Sequence, residues 1–280
     1  MKYIPFTIHC VTNLHAGSNG ESHAIIDKTV QRDVTTGYPT IFSSSIKGAL
    51  REHFETLYPS RSDFINHIFG PPPKRAEGDE TQGKYRFFSA QLLCLPVRSN
   101  IRPFYRVSSP ACLYEFIAFS RNLGFDKFKG HNELKQLIKL LQSNDAIVLD
   151  NCNAILEDWL ASSKSFEDSN GLLALLFGDE NIGLLSNLAF QQVVEKLPVI
   201  ARNQLEDGIS NNLWYEEVVA RQTRFYTVIG VPDDDMFWNP SADESKPNFF
   251  RGLTTGLVQI GGNATIGYGQ CKFSTISVNE

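Results

Sequence analysis

The chain has 280 residues, of which 42% are apolar and 20% are charged. This composition is typical of a globular protein with a sizeable core, and it excludes disordered, collagen-like and coiled-coil proteins. No apolar run reaches the ~20 residues that a membrane helix needs, and polar residues interrupt residues 1–17 too often for a signal peptide. We therefore expect a cytoplasmic protein with no membrane partner.

The five cysteines stand far apart and form no C-x-x-C motif. This spacing supports neither a disulfide framework nor a zinc knuckle. We expect reduced thiols in the core at all five positions, which are Cys10, Cys94, Cys112, Cys152 and Cys271.

The net charge of -5 argues against a nucleic-acid binder with a wholly basic surface. Charge is unevenly distributed, however. Residues 81–114 hold five basic residues, no acidic one and six aromatic ones, whereas residues 143–186 hold eight acidic residues and one lysine. This segregation predicts one cationic working face and one anionic face. Chance clustering of solvated charge is the alternative.

The first third of the chain predicts a strand, a long loop and a helix. Residues 2–11 have the apolar pattern of a buried strand. Residues 14–39 show no sustained period, and a loop of this length inside a compact domain is typically functional. Apolar residues then recur at helical spacing over residues 44–58, behind three serines that can cap the first turn.

Further along, residues 70–83 are a break rich in proline and charge. Residues 85–97 and 107–119 each predict one element. Helical spacing over 134–141, 155–160 and 188–197 predicts that the acidic middle is mostly helical, and β-rich runs follow from Trp214. The opening order of strand, helix, strand, strand suits a split β-α-β fold of the α+β class.

A glycine-rich segment, Gly261 to Gly269, has the G-x-x-x-x-G spacing of a phosphate-binding loop at Gly262 and Gly267. Tyr268 stands where that motif needs a lysine, so nucleotide hydrolysis is poorly supported. Two interpretations of the glycine-rich segment stay open: its backbone is approached closely by another segment, or it forms a tight turn between strands.

Ser44, Ser45 and Lys47 fit the S-x-x-K pattern of serine acyl-transferases, in which the amine activates a hydroxyl. The companion K-T-G and S-D-N motifs do not occur, so a serine hydrolase using Ser44 and Lys47 is a minor alternative. The same residues, with Arg51 one turn after Lys47, predict an anion site at a helix start that suits RNA phosphates.

Acid-base candidates lie in the long loop, at His15, His23, Asp27 and Asp33. The apolar residues before Asp27 would hold the loop down while its carboxylate faces outward. Glu216 and Glu217 form a second acidic pair, and adjacent residues point in different directions, so at most one serves a given site. A solvated charge pair is the alternative.

Several motifs follow one another in a fixed order: Leu14-His15-Ala16-Gly17, Ile26-Asp27, residues 30–33 and 36–39, Ser44 to Arg51, and Gly261 to Gly269. This order resembles the RAMP proteins of CRISPR effector complexes. Residues 95–99, 108–110 and 213–217 add a resemblance to the repeated backbone subunit of the type III-B (Cmr) complex, the fourth in its naming. The resemblance covers residues 1–120 and 200–272.

The resemblance implies an RNA-recognition-motif-like (ferredoxin-like) core over 1–120 and 200–280, with a helical acidic insertion over 121–199 and a β-rich C-terminal portion. It implies several copies stacked along one CRISPR guide RNA, contact with other Cmr complex subunits, and cleavage of the paired single-stranded target RNA at regular intervals. A subunit that binds the guide without cutting is the alternative.

By the same resemblance, Asp27 corresponds to the carboxylate that cleaves RNA in this family, and His15 and Glu216 or Glu217 correspond to assisting positions. RNA contacts are expected at Ser44, Ser45, Lys47, Arg51, Arg98, Gly262 and Gly267. RNA carries its own nucleophile in the 2′-hydroxyl, so a single Mg²⁺ or Mn²⁺ held by Asp27 and phosphate oxygens suits the reaction.

Overall fold

The computed structural model describes residues 1–18, 26–72, 82–125, 130–142, 145–168, 171–178, 181–238 and 246–276. In chain order its elements are β1 (Lys2–Cys10), α1 (Ser43–Leu57), α2 (Ser62–Phe69), β2 (Arg86–Phe87), β3 (Gln91–Val97), β4 (Tyr105–Ser108), α3 (Pro110–Asn122), α4 (His131–Leu141), β5 (Ala146–Val148), β6 (Ala154–Leu156), β7 (Trp159–Ser163), α5 (Leu172–Phe177), β8 (Ile182–Leu185), α6 (Asn187–Glu195), β9 (Val199–Glu206), β10 (Ile209–Glu217), β11 (Arg224–Val231), α7 (Phe249–Thr254), β12 (Val258–Gln259) and β13 (Gln270–Thr275). This is a mixed α+β architecture built on one large sheet.

The centre of the sheet has the strand order β13, β1, β11, β3, and every neighbouring pair is antiparallel. Helix α1 lies in the connection from β1 to β3, and α7 lies in the connection from β11 to β13. Because β1 sits between β13 and β11, the two strand–helix–strand units interleave.

Helices cover both faces of these strands. Phe6 and Ile8 of β1 belong to the same buried apolar cluster as Leu50 and Phe54 of α1, and Phe54 stacks on Phe249 of α7 at 4.6 Å. Each buried side chain of this kind contributes roughly 1.5–3 kcal/mol. A second cluster fills the opposite face beneath α3, α4 and α5. Polar chemistry is therefore confined to the ends and edges of the strands.

The loop after β1 fixes the start of α1. The helix begins at Ser43 and ends at Leu57, close to the prediction, but no serine hydroxyl caps it. The N-cap residue is Phe42, whose amide donates to Gln31 Oε1 at 2.7 Å. The expectation of serine capping was wrong because a glutamine of the loop holds the chain at this point.

Two predicted elements are each divided in the structure. Residues 85–97 form β2 and β3, which pair with β11 at separate places. Residues 107–119 form the end of β4 and most of α3. The division falls at Ser109, whose hydroxyl accepts from the Cys112 amide, and at Pro110, whose fixed φ suits the first helical turn.

The predicted helix over 155–160 was wrong. Strands β6 and β7 form a hairpin there, and the turn between them includes Glu157 at φ +50°. Leu156 is buried, whereas Ile155 and Leu160 are exposed, which is the alternation of a strand. The four apolar residues of this short segment, Ile155, Leu156, Trp159 and Leu160, are compatible with the spacing of a helix and with two short strands.

The acidic middle is not mostly helical. Within the described part of residues 121–199, helices α4, α5 and α6 alternate with four short strands. Strand β8 pairs in parallel with β4, and β5 pairs with β8, so this segment lengthens the central sheet.

Separate cationic and anionic faces are contradicted as well. Arg98 forms a bidentate ion pair with Glu157, and Arg102 pairs with Asp150 at 2.5 Å. The basic segment and the acidic segment are thus neighbours in space. Opposite charges that are far apart in sequence neutralise each other where the middle segment joins the sheet.

The C-terminal portion is β-rich as expected. Strands β9 and β10 form a separate two-stranded sheet that turns at Asp207 and Gly208, both at positive φ. Such a pair of positive φ values is typical of a tight hairpin. An isolated hairpin is marginally stable, so contacts at its base matter.

Four of the five cysteines are buried free thiols, and Cys152 is exposed, so the expectation of a core position was wrong for that residue. Burial raises the pKa of the Cys94 thiol to about 12. Among the described residues, no helix is both long and apolar enough to cross a membrane.

His9 of β1 faces a cation on each neighbouring strand. Its register partners are Arg224 on β11 and Lys272 on β13. Burial, followed by the charge of Arg224, lowers the pKa of His9 from 6.5 to about 4. The folded protein therefore keeps this ring neutral over a pH range in which an unfolded histidine takes up a proton.

We predict that this histidine removes stability as pH falls from about 6.5 to about 4, because the unfolded chain binds the extra proton in that range. His9→Gln should therefore show a smaller loss of Tm between pH 7 and pH 5 than the wild type. Differential scanning calorimetry at the two pH values measures the difference, with His53→Gln on α1 as the control. An equal loss of Tm in all three proteins would contradict the prediction.

Candidate functional site

Three segments meet where β1 ends and β11 begins. Leu14 bridges Val219, Lys28 bridges Glu216, and the Gly262 amide donates to the His15 carbonyl at 2.9 Å. The long loop, the base of the β9–β10 hairpin and the glycine-rich segment therefore form one polar surface at the strand ends.

Asp27 is exposed and held against β10. Its backbone amide donates to the Tyr215 carbonyl at 3.1 Å, and its Oδ2 accepts from the Tyr215 amide at 2.8 Å. Oδ1 has no hydrogen-bond partner among the described residues. The prediction that this carboxylate faces outward is confirmed, and one of its oxygens is free for chemistry.

His15 lies beside the next residues of the same strand. Its side chain is 10% exposed, and Nδ1 lies 2.8 Å from the Glu217 carbonyl and 3.3 Å from Glu216 Oε1. A carbonyl only accepts, so Nδ1 carries a proton and donates it to the Glu217 carbonyl. A Cβ at Gly17 would lie 3.1 Å from Nε2, so glycine leaves room at that nitrogen.

Glu216 is a buried carboxylate with partners on both oxygens, and only 1% of the residue is exposed. Oε1 accepts from the Asn263 amide and lies beside His15, while Oε2 lies 3.3 Å from Arg202 Nε. A buried charge needs such partners. Glu216 therefore orients His15 and fastens the hairpin to the glycine-rich segment.

Glu217 points to a different set of partners. Its carboxylate accepts from the Val30 amide at 3.0 Å and from Arg32 Nη2 at 2.6 Å. The two glutamates serve different contacts, as predicted for adjacent residues. The alternative of a solvated pair is wrong, because both are buried.

The glycine-rich segment is a close approach of two backbones. A Cβ at Gly261 would lie 2.3 Å from the His15 carbonyl oxygen, so only glycine fits there. Gly267 has φ +82° and open space around it. The Arg202 guanidinium lies over the Tyr268 ring, with its Cζ 4.6 Å from the ring centroid. The residue at the position of the missing lysine therefore has a structural role.

Sequence reasoning missed Arg202, Asn263 and Gln31. Gln31 contacts the Phe42 amide and the Ser45 hydroxyl, and it thereby joins the loop to α1. Gln31 and Asn263 lie inside motifs of the resemblance, but no local signal gave any of the three residues a role, because the contacts form only when the chain is folded.

The start of α1 presents unpaired backbone donors to solvent. The amides of Ser44 and Ser45 have no acceptor in the described part of the chain, and the Lys47 side chain is exposed without a partner there. Ser44 makes no hydrogen bond to Lys47 among the described residues. The first helical turn thus presents donors and a positive charge to solvent.

The other predicted positions have structural partners or fall elsewhere. Arg51 donates to Glu55 at 2.8 Å and to the Gly70 carbonyl at 2.9 Å, and Arg98 pairs with Glu157. Asp33 accepts from the Thr35 and Thr36 amides and so stabilises a turn. His23 lies outside the described residues.

The arrangement offers a free carboxylate oxygen at Asp27 and a free ring nitrogen at His15. Their anchors on β10, the Tyr215 amide and the Glu217 carbonyl, are two residues apart, about 7 Å along a strand. No group of three metal-binding side chains occurs in the described residues. A divalent ion would fit here if Asp27 Oδ1 and phosphate oxygens held it jointly.

The sequence model of the RAMP superfamily matches residues 7–272. The CRISPR system Cmr endoribonuclease Cmr4 of Pyrococcus furiosus is 30% identical over 303 aligned residues, which cover 100% of this chain and 98% of that protein.

Two solved structures share the fold. A chain of the type III-B Cmr-β complex bound to cognate target RNA superposes with a TM-score of 0.76 at 24% identity, covering 98% of this chain and 97% of that one. Oligomeric Cmr4 from Pyrococcus furiosus superposes with a TM-score of 0.69 at 23% identity, covering 99% and 100%. The chain therefore belongs to the RAMP superfamily and, within it, to the Cmr4 family.

Proposed function

We propose that this chain is the backbone subunit of a type III-B CRISPR effector, and that it binds guide RNA in several copies and cleaves the paired target RNA. The observation that carries the proposal is the free Asp27 oxygen beside the His15–Glu216 pair, in a chain that aligns along its whole length with an endoribonuclease. We place it in the cytoplasm, with other Cmr complex subunits as partners.

The fold type of the core is inferred from its strand order and from the helices that connect the strands. The strand order β13, β1, β11, β3, with α1 and α7 in the two crossovers, supports a ferredoxin-like core. The oligomeric relative supports stacking of several copies, and the relative bound to target RNA supports a single-stranded RNA substrate.

The proposed chemistry uses the nucleophile that RNA supplies. His15 Nε2 is the acceptor for the proton of a 2′-hydroxyl, and Nδ1 is held by the Glu217 carbonyl, which fixes the ring. Glu216 acts through His15 as a positioning residue, since both its oxygens are engaged. Attack on the adjacent phosphate then releases a 5′-hydroxyl and leaves a cyclic phosphate.

A divalent ion, Mg²⁺ or Mn²⁺, would supply stabilisation of the negative charge that develops on the phosphate. Asp27 Oδ1 is the oxygen of this chain that would hold it. The Tyr215 amide keeps the carboxylate directed to the surface, so the oxygen is in place before RNA arrives.

We predict that Asp27→Asn lowers target cleavage at least ~100-fold in a reconstituted complex, because the amide keeps the acceptor for Tyr215 but removes the charge. Guide and target affinity should change little. Gel-based cleavage and filter binding measure the two quantities, with Glu52→Gln as a control for the loss of one exposed carboxylate. Undiminished cutting by the asparagine variant would remove Asp27 from the mechanism.

Cleavage should require Mg²⁺ or Mn²⁺ and should stop in chelator, with products that end in a cyclic phosphate. Mass spectrometry of the fragments identifies the ends. Full activity in chelator would show that no metal is needed, and a plain 3′-hydroxyl end would show that water attacks instead of the 2′-hydroxyl.

The contributions of Lys47 and Arg51 to guide RNA binding can be measured separately. If Lys47 and Arg51 both contact phosphates, the double alanine variant lowers the log-log salt slope of binding by about 1.4, and each single variant lowers it by about 0.7. Because Arg51 also holds Glu55 and Gly70, Arg51→Ala should in addition lower Tm. A salt series for each variant decides the matter, and unchanged slopes would assign this helix start to packing alone.

A further inference from the structure

A pocket, which we call the Phe104 pocket, lies next to the candidate site and has a volume of about 340 Å³. Its polar and aromatic lining includes Asn13, Arg98, Phe104, Lys196, Arg221 and Gln222. Volumes of roughly 300–1,000 Å³ are typical of small-ligand sites. None of the residues proposed for cleavage lines it.

The pocket is cationic in a protein that is acidic overall. Arg98 is balanced by Glu157, which also lines the pocket, so the surplus comes from Lys196 and Arg221. Neither of these two side chains forms an ion pair within the described residues, and both are exposed. Two unpaired cations at the mouth of a concave surface favour an anionic ligand.

The inner wall combines an aromatic ring with an oriented amide. Gln222 Oε1 accepts from His9 at 3.1 Å and from Arg106 at 3.0 Å, and these two bonds leave its Nε2 as a donor. Phe104 is half-buried, with the Arg106 guanidinium 5.6 Å from its centroid. An aromatic face beside a fixed amide and two cations is the chemistry that recognises a base together with its phosphate.

The pocket and the candidate site share the same backbone segments. Asn13 directly precedes Leu14, which bridges Val219, and the Asn13 side chain accepts from the Arg221 amide at 2.9 Å. His15 and Glu217, at the candidate site, are only a few residues along these two segments. The pocket and the candidate site are therefore neighbours along the same two paired segments.

We propose that the Phe104 pocket binds one nucleotide of single-stranded RNA, with the base against Phe104 and the phosphate on Lys196 and Arg221. The inference rests on the proposed function, because it takes RNA as the ligand. A nucleotide held here is splayed out of the strand that continues across the candidate site, which is the local geometry that attack by a 2′-hydroxyl needs.

The test measures binding of a fluorescein-labelled 12-nucleotide oligouridine to the full chain. Phe104→Leu, which keeps the apolar volume, should weaken binding about fivefold or more, and Phe104→Trp should restore it. Lys196→Ala/Arg221→Ala should lower the salt slope by about 1.4. The matched control, Arg121→Ala/Lys139→Ala, removes the same charge from α3 and α4 and should leave affinity and slope unchanged.

The source of the nucleotide is found by placing 5-iodouridine at single positions of the guide or of the target in the assembled complex. A crosslink to Phe104 from one strand supports the proposal and names the strand, whereas no crosslink from either overturns it. Normal RNA binding by the pocket variants, alongside weakened binding by Lys47→Ala, would overturn the pocket alone. A wild-type chain that binds no RNA would overturn the proposed function as well.

Discussion

The buried carboxylate of Glu216 is the constraint on which the site depends. A charge with 1% of its residue exposed is stable only with partners. Here they are Arg202 of the same hairpin and, from two distant parts of the chain, His15 and Asn263. The loop after β1, the β9–β10 hairpin and the glycine-rich segment are thereby fixed relative to one another. Removing any one partner leaves a buried charge less well compensated, so the three segments depend on each other.

Covered faces explain why the chemistry lies at the strand ends. Because α1 and α7 pack on one side of the sheet and α3 to α5 on the other, most of both faces of the central strands is covered within the described residues. The loops that hold the candidate site follow the ends of these strands. Two features predicted for RNA, the start of α1 and the glycine-rich segment, are joined to the same loop through Gln31 and the His15 carbonyl.

Local patterns predicted the elements that a single apolar periodicity defines, even where their partners are distant in sequence. The bounds of β1 and α1 followed from apolar periodicity, and Asp27 is exposed as predicted. The hairpin at 154–163 and the pairing of Arg98 with Glu157 could not be predicted in this way. Both depend on where the middle segment joins the sheet, and the position of a strand within a sheet leaves no trace in its own periodicity.

Some residues of the site hold its framework, and others keep polar atoms without partners. Glu216, Glu217 and Arg32 are engaged and partly or fully buried, so they hold the framework. Asp27 Oδ1 on the exposed residue and Nε2 of the buried His15 have no hydrogen-bond partner among the described residues. Under the proposed function, a substrate that brings its own nucleophile needs a proton acceptor and a fixed place for its phosphate. Asp27 is fixed in the way this requires, because the Tyr215 amide and carbonyl both hold the residue and leave one carboxylate oxygen without a partner among the described residues.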